Sequence, residues 1–310
     1  MKALVAGTRG SKLALWQSEH IAADLRSRHG VAVRLEIITT RGDVDMREQL
    51  QGKLEKGFFT QELEDALRAG RIDFAVHSLK DLPTRDPEGL RIAATPPRAK
   101  PHDLLLCRRE SLEGPARLKK NARVGASSLR RGALIATHLP GAQAVPLRGN
   151  VPTRVERLQK GDFDAIVIAR AGVERLQIDL SPFAVFALSP KLWVPAPGQG
   201  AIAVQARAAD AAFAALAEPL NDAPTARATA LERSFLSVLE GGCTTPFGCY
   251  VDGDRAWLGQ LHGDRWRATS VALPAQASTA FIQRTLADLA SAERITSEEE
   301  AHEPLFQPLD

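Results

Sequence analysis

The chain is poor in sulfur and in aromatic side chains. Its 310 residues include three cysteines, two methionines and one tyrosine, and aromatics make up only 5%. Three cysteines, Cys107, Cys243 and Cys249, cannot build a disulfide framework, which points to a reducing compartment. Long apolar runs are missing too. No stretch approaches the roughly 18 residues needed to span a bilayer. The N-terminal MKALVAGTRGSKLALWQ lacks the apolar centre of a signal peptide, and no Asn-x-Ser/Thr acceptor occurs. A cytoplasmic protein with no membrane partner is therefore expected. The net charge is only +3. Totals of that kind give no reason to expect a nucleic-acid partner.

Several chemical signatures are lacking as well. The seven histidines show no metal-ligand spacing, and Cys243 with Cys249 is not a zinc pattern by itself, so no metal is expected. Gly198-Gln199-Gly200 starts like a dinucleotide fingerprint but lacks the third glycine and the βαβ placement. There is no Walker A sequence and no Gly-x-Ser-x-Gly elbow.

What is present is a repeated order of elements. The apolar run KALVA ends in Gly7-Thr8-Arg9-Gly10-Ser11, and a helical pattern follows with Leu13, Trp16, His20, Ala23 and Ile21 or Leu25 on or near one face. RLEIITT, the helix FTQELEDALRAG and the buried strand IDFAVHSL follow. The order then recurs. ARVG leads into Ala126-Ser127-Ser128-Leu129-Arg130-Arg131 and a helix, AQAVPL into Arg148-Gly149-Asn150, and VPTRVERLQKG into the strand FDAIVIA. GRIDFAVHS (70–78) aligns with GDFDAIVIA (161–169), matching a glycine, a large apolar residue, an aspartate and a central valine. Two α/β lobes follow, each a mostly parallel sheet covered by helices.

A chain of this length is too long for one ordinary core. The Pro/Gly-rich stretches 95–101 and 195–200 read as two crossings between the lobes. The expected domains are therefore 1–96 with 198–217, 101–194, and 220–310. The last is a small α+β domain. A helix capped by Asp222 precedes strands broken at Asp252-Gly253-Asp254 and His262-Gly263-Asp264, giving a three-stranded antiparallel sheet. A further helix carries Phe281, Ile282, Leu286 and Leu289, and the tail with Glu298, Glu299 and Glu300 reads as solvated.

The strand ends carry the chemistry. Hydroxyls and glycines at helix starts present backbone N–H groups to anions, and arginines add planar forks that pair with carboxylates. Any single arginine here is as well explained as part of a solvated face. The set at equivalent points of two lobes describes a cleft for something with several negative groups. His77-Ser78-Leu79-Lys80-Asp81-Leu82-Pro83 puts a lysine and an aspartate at a strand end. Asp81 there could stabilise a cation or move protons, or form a plain surface pair worth little. His77 reads as a packed histidine. In LEGGC, Gly241 or Gly242 can stop a helix. By residue type alone Cys243 is then either a small buried hydrophobe or a presented thiol.

Six stretches in order resemble the hydroxymethylbilane synthase (porphobilinogen deaminase) family: GTRGSKLALWQ, HSLKDLP, VGASSLRR, LRGNVPTR, PAPGQGAIA and ALERSFLSVLEGGC. The resemblance runs from the start of the chain to about residue 250. It implies lobes like those of type II periplasmic binding proteins. It also implies a transferase of haem, chlorophyll and corrinoid biosynthesis, which joins porphobilinogen units head to tail with loss of ammonia. The tetrapyrrole grows on a dipyrromethane cofactor bound through a thioether to Cys243, and hydrolysis then releases it. Every pyrrole bears an acetate and a propionate, which accounts for the arginines.

By motif position the resemblance makes Asp81 the catalytic carboxylate, stabilising the azafulvene left when ammonia departs. Cys243, Lys80, Asp81, Ser127, Ser128, Arg130 and Arg131 would hold the cofactor. Arg9, Ser11, Arg148, Arg154, Arg175 and Gln199 would hold substrate. Lys53, Lys56 and Phe59 are candidates in a loop over the site. A monomer that passes its product to uroporphyrinogen-III synthase is implied. Ala126 stands where the family has threonine, Thr245-Pro246 where it often has Val-Pro, and the acidic tail is not typical. The alternative is a two-lobed anion-binding protein without catalysis, which would not explain a third domain bearing a thiol.

Overall fold

The computed structural model describes residues 3–40, 60–240, 246–292, 297–307 and 309. The chain folds as two compact units, Met1–Ala99 with Ala201–Arg227, and Lys100–Gly200 with Ala228–Asp310. In chain order come β1 (Leu4–Thr8), α1 (Lys12–His29), β2 (Val33–Ile37), α2 (Gln61–Arg68), β3 (Phe74–Ser78) and β4 (Leu90–Ala94). The second unit begins with β5 (Asp103–Arg108), the hairpin strands β6 (Leu112–Gly114) and β7 (Arg117–Leu118), β8 (Arg123–Ala126) and α3 (Leu129–His138). It continues with β9 (Gln143–Pro146), α4 (Val151–Gln159), β10 (Ala165–Ala169), α5 (Arg170–Arg175) and β11 (Phe183–Leu188). The first unit is completed by β12 (Ile202–Arg207) and α6 (Ala211–Ala217), after which α7 (Ala223–Glu240) follows. The remainder is β13 (Phe247–Asp252), β14 (Arg255–His262), β15 (Arg265–Ala272), α8 (Thr279–Ser291), α9 (Glu298–Ala301) and β16 (Phe306–Gln307).

The two large sheets share one plan. The first runs β2-β1-β3-β12-β4, and the second β9-β8-β10-β5-β11 with β16 outside. Both α/β lobes expected from the sequence are thus present, and both sheets are mixed. β2, β1 and β3 are parallel, as are β9, β8 and β10, while β12 and β5 run antiparallel beside them. The apolar runs FAVHS and AIVIA are buried along almost their whole length, as befits strands covered on two faces. Ile21 and Leu25 of α1 pack against Phe74, Val76 and Val204. Each such buried side chain contributes about 1.5–3 kcal/mol relative to exposure.

The repeat in the sequence has a local physical cause. Asp73, just before β3, accepts from Val5 N at 2.7 Å through Oδ2, and its own N–H donates to Val5 O at 2.8 Å. Asp164, just before β10, accepts from Arg123 N at 2.8 Å and donates to Arg123 O at 2.9 Å. Each aspartate therefore clamps the incoming strand onto the strand that opens the repeated order, β1 in one lobe and β8 in the other. The large apolar residue one place earlier fills the same space in both lobes. A Cβ on Gly7 would lie 2.3 Å from Ile72 Cδ1, and one on Gly125 would lie 3.1 Å from Phe163 Cδ1. Gly70 and Gly161 end the preceding helices at φ +68° and +85°.

Within the second unit, the sheet β13-β14-β15 has two covered faces. Trp257 and Trp266 join Leu134, Ile135 and Trp193 in one core cluster. Cys249 and Leu258 on the other face meet Phe235 of α7 and Ile282, Leu286 and Leu289 of α8. Asp222 caps α7 as expected, accepting from Thr225 N at 2.9 Å. The tail departs from expectation. Its glutamates are exposed, but Ala301 and Leu305 enter the core and β16 pairs with β11. Burial of those two apolar side chains, with Phe306 edge-on to Phe186 at 5.8 Å, holds it down. Among the described residues no helix is long and apolar enough to cross a membrane.

Gly7→Ala should lower the thermal midpoint, because Ile72 and Leu63 are both fully buried and have little room to give. Overpacking of this kind costs about 1–3 kcal/mol. Ile72→Val removes the clashing Cδ1. Alone it should cost about 0.5–1.5 kcal/mol, but in the Gly7→Ala background it should cost nothing or restore stability. Additive effects in that double-mutant cycle would refute the packing account.

Candidate active site

In the first unit, β1 and β3 are parallel neighbours paired at Ala6↔Phe74 and Gly7↔Ala75, so their carboxyl ends open on the same edge. Beyond β1, Arg9 and Ser11 lead into α1, and Ser11 Oγ caps it by accepting from Ala14 N at 3.3 Å. Beyond β3, a single 3-10 turn spans Leu79–Asp81. Leu79 is buried and its N–H donates to Ala201 O at 3.0 Å, which leaves Lys80 and Asp81 exposed. Arg9, Ser11, Ser78 and Asp81 share the lining of a concavity of about 80 Å³ with Gln17 and Thr60. Lys80 stands on the same turn but does not line it.

Two polar residues of this concavity were given no role from the sequence. Gln17 is buried, and its Nε2 donates to Ser78 Oγ at 2.9 Å, fixing α1 to the end of β3. Thr60 precedes α2 at the N-cap position, yet its hydroxyl makes no capping bond. Among the described residues its buried Oγ1 has no partner. A buried hydroxyl left in that state costs about 1–3 kcal/mol, so a ligand that bonds it recovers that cost. In the sequence Thr60 reads only as part of the helical run FTQELEDALRAG, which gives no hint of a site. His77 lies inside β3, where its ring bonds Gln205 Oε1 at 3.2 Å. Burial pushes its pKa down to about 4, with the charge of Arg9 adding to the effect. It is neutral near neutral pH, as a packed histidine should be.

In the second unit, the parallel strands β9, β8 and β10 again open together. After β8, Ser127 is half-buried, Ser128 is exposed, and Ser128 Oγ caps α3 by accepting from Arg131 N at 3.3 Å. Arg130 and Arg131 turn inward onto Asp103, which is wholly buried. Arg131 donates Nη2 to Oδ1 at 2.6 Å and Nε to Oδ2 at 3.1 Å, and Arg130 donates Nη2 to Oδ2 at 2.9 Å. Trp193 Nε1 donates to Oδ2 at 3.1 Å and Gln199 Nε2 to Oδ1 at 2.9 Å. Burial alone would raise the Asp103 pKa, but the charges and hydrogen bonds of Arg131 and Arg130 hold the carboxyl well below the usual carboxylate range. Burial also depresses the Arg130 pKa, which Asp103 opposes.

The other expected residues divide by exposure. Arg148 is exposed, whereas Arg154 is half-buried and its Nε donates to Gly149 O at 2.6 Å. Arg175 is buried on α5, donates Nη2 to Gly200 O at 2.7 Å, and has its pKa pushed down to about 10 by burial. Gln199 is buried and also donates to Pro101 O at 2.7 Å. Sequence reasoning missed Asp103. The available signal was a carboxylate heading the apolar run Leu104-Leu105-Leu106-Cys107, a position that requires a buried partner. Cys243, Lys53, Lys56 and Phe59 lie outside the described residues. Cys107 and Cys249 are buried, and burial pushes the Cys107 thiol up to about 12. Among the described residues no group of His, Cys, Asp and Glu could hold a metal ion.

Residues 4–215 match the family model described as "Porphobilinogen deaminase, dipyromethane cofactor binding domain". A porphobilinogen deaminase of Roseiflexus sp. (strain RS-1) is 43% identical over 265 residues, covering 84% of this chain and 86% of its own length. One from Sulfurimonas denitrificans is 44% identical over 278 residues, covering 87% and 88%. Among solved structures, an ABC-transporter periplasmic substrate-binding protein from Coxiella burnetii is 14% identical with a TM-score of 0.45, over 74% of this chain and 96% of that one.

The depressed His77 pKa has a measurable consequence. Between the ordinary value of 6.5 and the folded value of about 4, the unfolded chain takes up a proton that folded His77 refuses. Its contribution to stability is therefore whole above that window and is lost as pH falls through it. His77→Gln should flatten the acid-side loss of stability by up to about 1.4 kcal/mol per pH unit. Urea midpoints measured across the window test this, and an unchanged slope would show that His77 titrates normally.

Proposed function

This chain belongs to the porphobilinogen deaminase family, and we propose from that premise how its residues act. The reaction joins porphobilinogen units head to tail, losing ammonia at each addition, and ends with hydrolytic release of linear hydroxymethylbilane. Family membership decides against the alternative of an anion-binding protein without catalysis. The dipyrromethane cofactor of the family supplies, when bound, the pyrrole carbon to which units are added. The donor set suits it. Guanidiniums, capping hydroxyls and an unpaired buried Thr60 hydroxyl match a molecule whose rings carry carboxylates.

The single observation that supports the reading is the concavity where Asp81 stands with Arg9 and Ser11. A carboxylate there can accept pyrrole N–H groups, stabilise the electron-poor ring left when ammonia departs, and carry protons on its oxygens. Arg9 and Ser11 beside it hold acetate and propionate groups, which orients the ring. His77 is neutral and bonded to Gln205, so proton movement rests with Asp81 and not with the imidazole.

The cofactor is held covalently by Cys243 and through its carboxylates by Lys80, Ser127, Ser128, Arg130 and Arg131. Arg148, Arg154, Arg175 and Gln199 serve the growing chain, with Lys53, Lys56 and Phe59 covering it. On the same reading the enzyme is a cytoplasmic monomer that passes its product to uroporphyrinogen-III synthase.

Two experiments test these roles. Intact mass of the purified protein should exceed the sequence mass by one dipyrromethane, and Cys243→Ser should lack the increment. An active but unmodified wild type would sink the cofactor assignment. Asp81→Ala should fold, keep the cofactor and lose about 10²–10⁴-fold or more in turnover. Near-normal rates in that variant would remove Asp81 from the mechanism.

A further inference from the structure

Asp103 does not itself face a ligand. A carboxylate offers about four lone-pair positions. Those of Asp103 are taken by Arg130, Arg131, Trp193 and Gln199, and none of its surface is exposed. Its effect falls on the arginines. A guanidinium carries its donors in one rigid plane. Arg131 sets the Nε and Nη2 edge of that plane on Asp103 and gives an Nη1 hydrogen to Ser127 Oγ at 3.1 Å. Arg130 gives Nη2 to Asp103 and Nη1 to Val194 O at 2.7 Å. A plane held at two edges cannot swivel, so the direction of the remaining hydrogens is set.

Charge adds a second constraint. Two guanidiniums share one carboxylate, and all three groups are buried. The cluster keeps a positive excess beside the start of α3, where Ser128 is exposed. Without the carboxylate two buried cations would face each other, and one would be driven outward or lose its orientation.

We propose that Asp103 is the positioning residue of the cofactor's anion site, fixing which N–H groups of Arg130 and Arg131, with the Ser127 and Ser128 hydroxyls, meet a carboxylate of the bound dipyrromethane. This rests on the function proposed above. Asp103 is not a catalytic residue, because it touches neither substrate nor cofactor.

The test compares full-length wild type with Asp103→Asn, Asp103→Glu and Phe183→Ala, a buried control of the same unit. Intact mass gives the cofactor-bearing fraction and thermal unfolding gives stability. Asp103→Glu keeps the charge but moves it by one methylene. It should lower the loaded fraction about ten-fold while its midpoint falls no further than that of the control. Asp103→Asn should lose at least as much, and Phe183→Ala should load like wild type. Normal loading in either Asp103 variant overturns the proposal. So does a loss of cofactor that simply follows the fall in midpoint across the three variants. If Asp103→Asn does not fold, Asp103→Glu decides alone. A wild type without the dipyrromethane mass would instead refute the proposed function, a distinct outcome.

Discussion

A carboxylate shut away from water governs the second unit. Taking Asp103 out of solvent carries a penalty of several kcal/mol, which is recovered only when geometry and hydrogen bonding are nearly complete. Here they are, through a two-point contact with Arg131 and single contacts from Arg130, Trp193 and Gln199. The partners are distant in sequence, with Trp193 and Gln199 lying 90 and 96 residues away. One side chain therefore joins β5, the start of α3 and the 193–199 segment. Ion pairs of this kind are weak stabilisers, and the two-point contact of Arg131 fixes the plane of its guanidinium.

The duplicated lobes show how one backbone plan is given two chemistries. Asp73 and Asp164 make the same two-bond clamp, to β1 and to β8 respectively. Gly7 and Gly125 leave room for the same apolar neighbour. These contacts bring the parallel strand ends to one edge, where loops can differ without disturbing the sheet. In the first lobe that edge carries Asp81 near Arg9 and Ser11. In the second it carries hydroxyls in front of a buried cationic cluster. The same strand-end edge thus presents different side chains in the two copies of one fold.

The tail shows how composition can mislead. Glu298, Glu299 and Glu300 are solvated, and taken alone they suggest a loose end. Ala301 and Leu305 fix the segment instead, because each finds a place in the core. Two apolar residues in register outweigh three exposed charges, since exposed charges contribute little either way.

Much of this protein was legible in residue order alone. Apolar runs of strand length, glycines at helix ends and the recurrence of 70–78 at 161–169 specify two α/β lobes, because these are local matters of burial and backbone conformation. The motif around Lys80 and Asp81 was legible for the same reason, as a polar turn ending a buried strand. What the sequence left open depended on partners far along the chain. Arg130 and Arg131 read as free anion-binding forks, and the tertiary structure binds both to Asp103. Thr60 reads as part of the helical run FTQELEDALRAG, and among the described residues its buried hydroxyl has no partner. Gln199 reads as a site residue, and its amide nitrogen donates to Pro101 and Asp103. Burial of a polar group depends on everything packed around it, so only the three-dimensional arrangement decides which donors remain for a ligand.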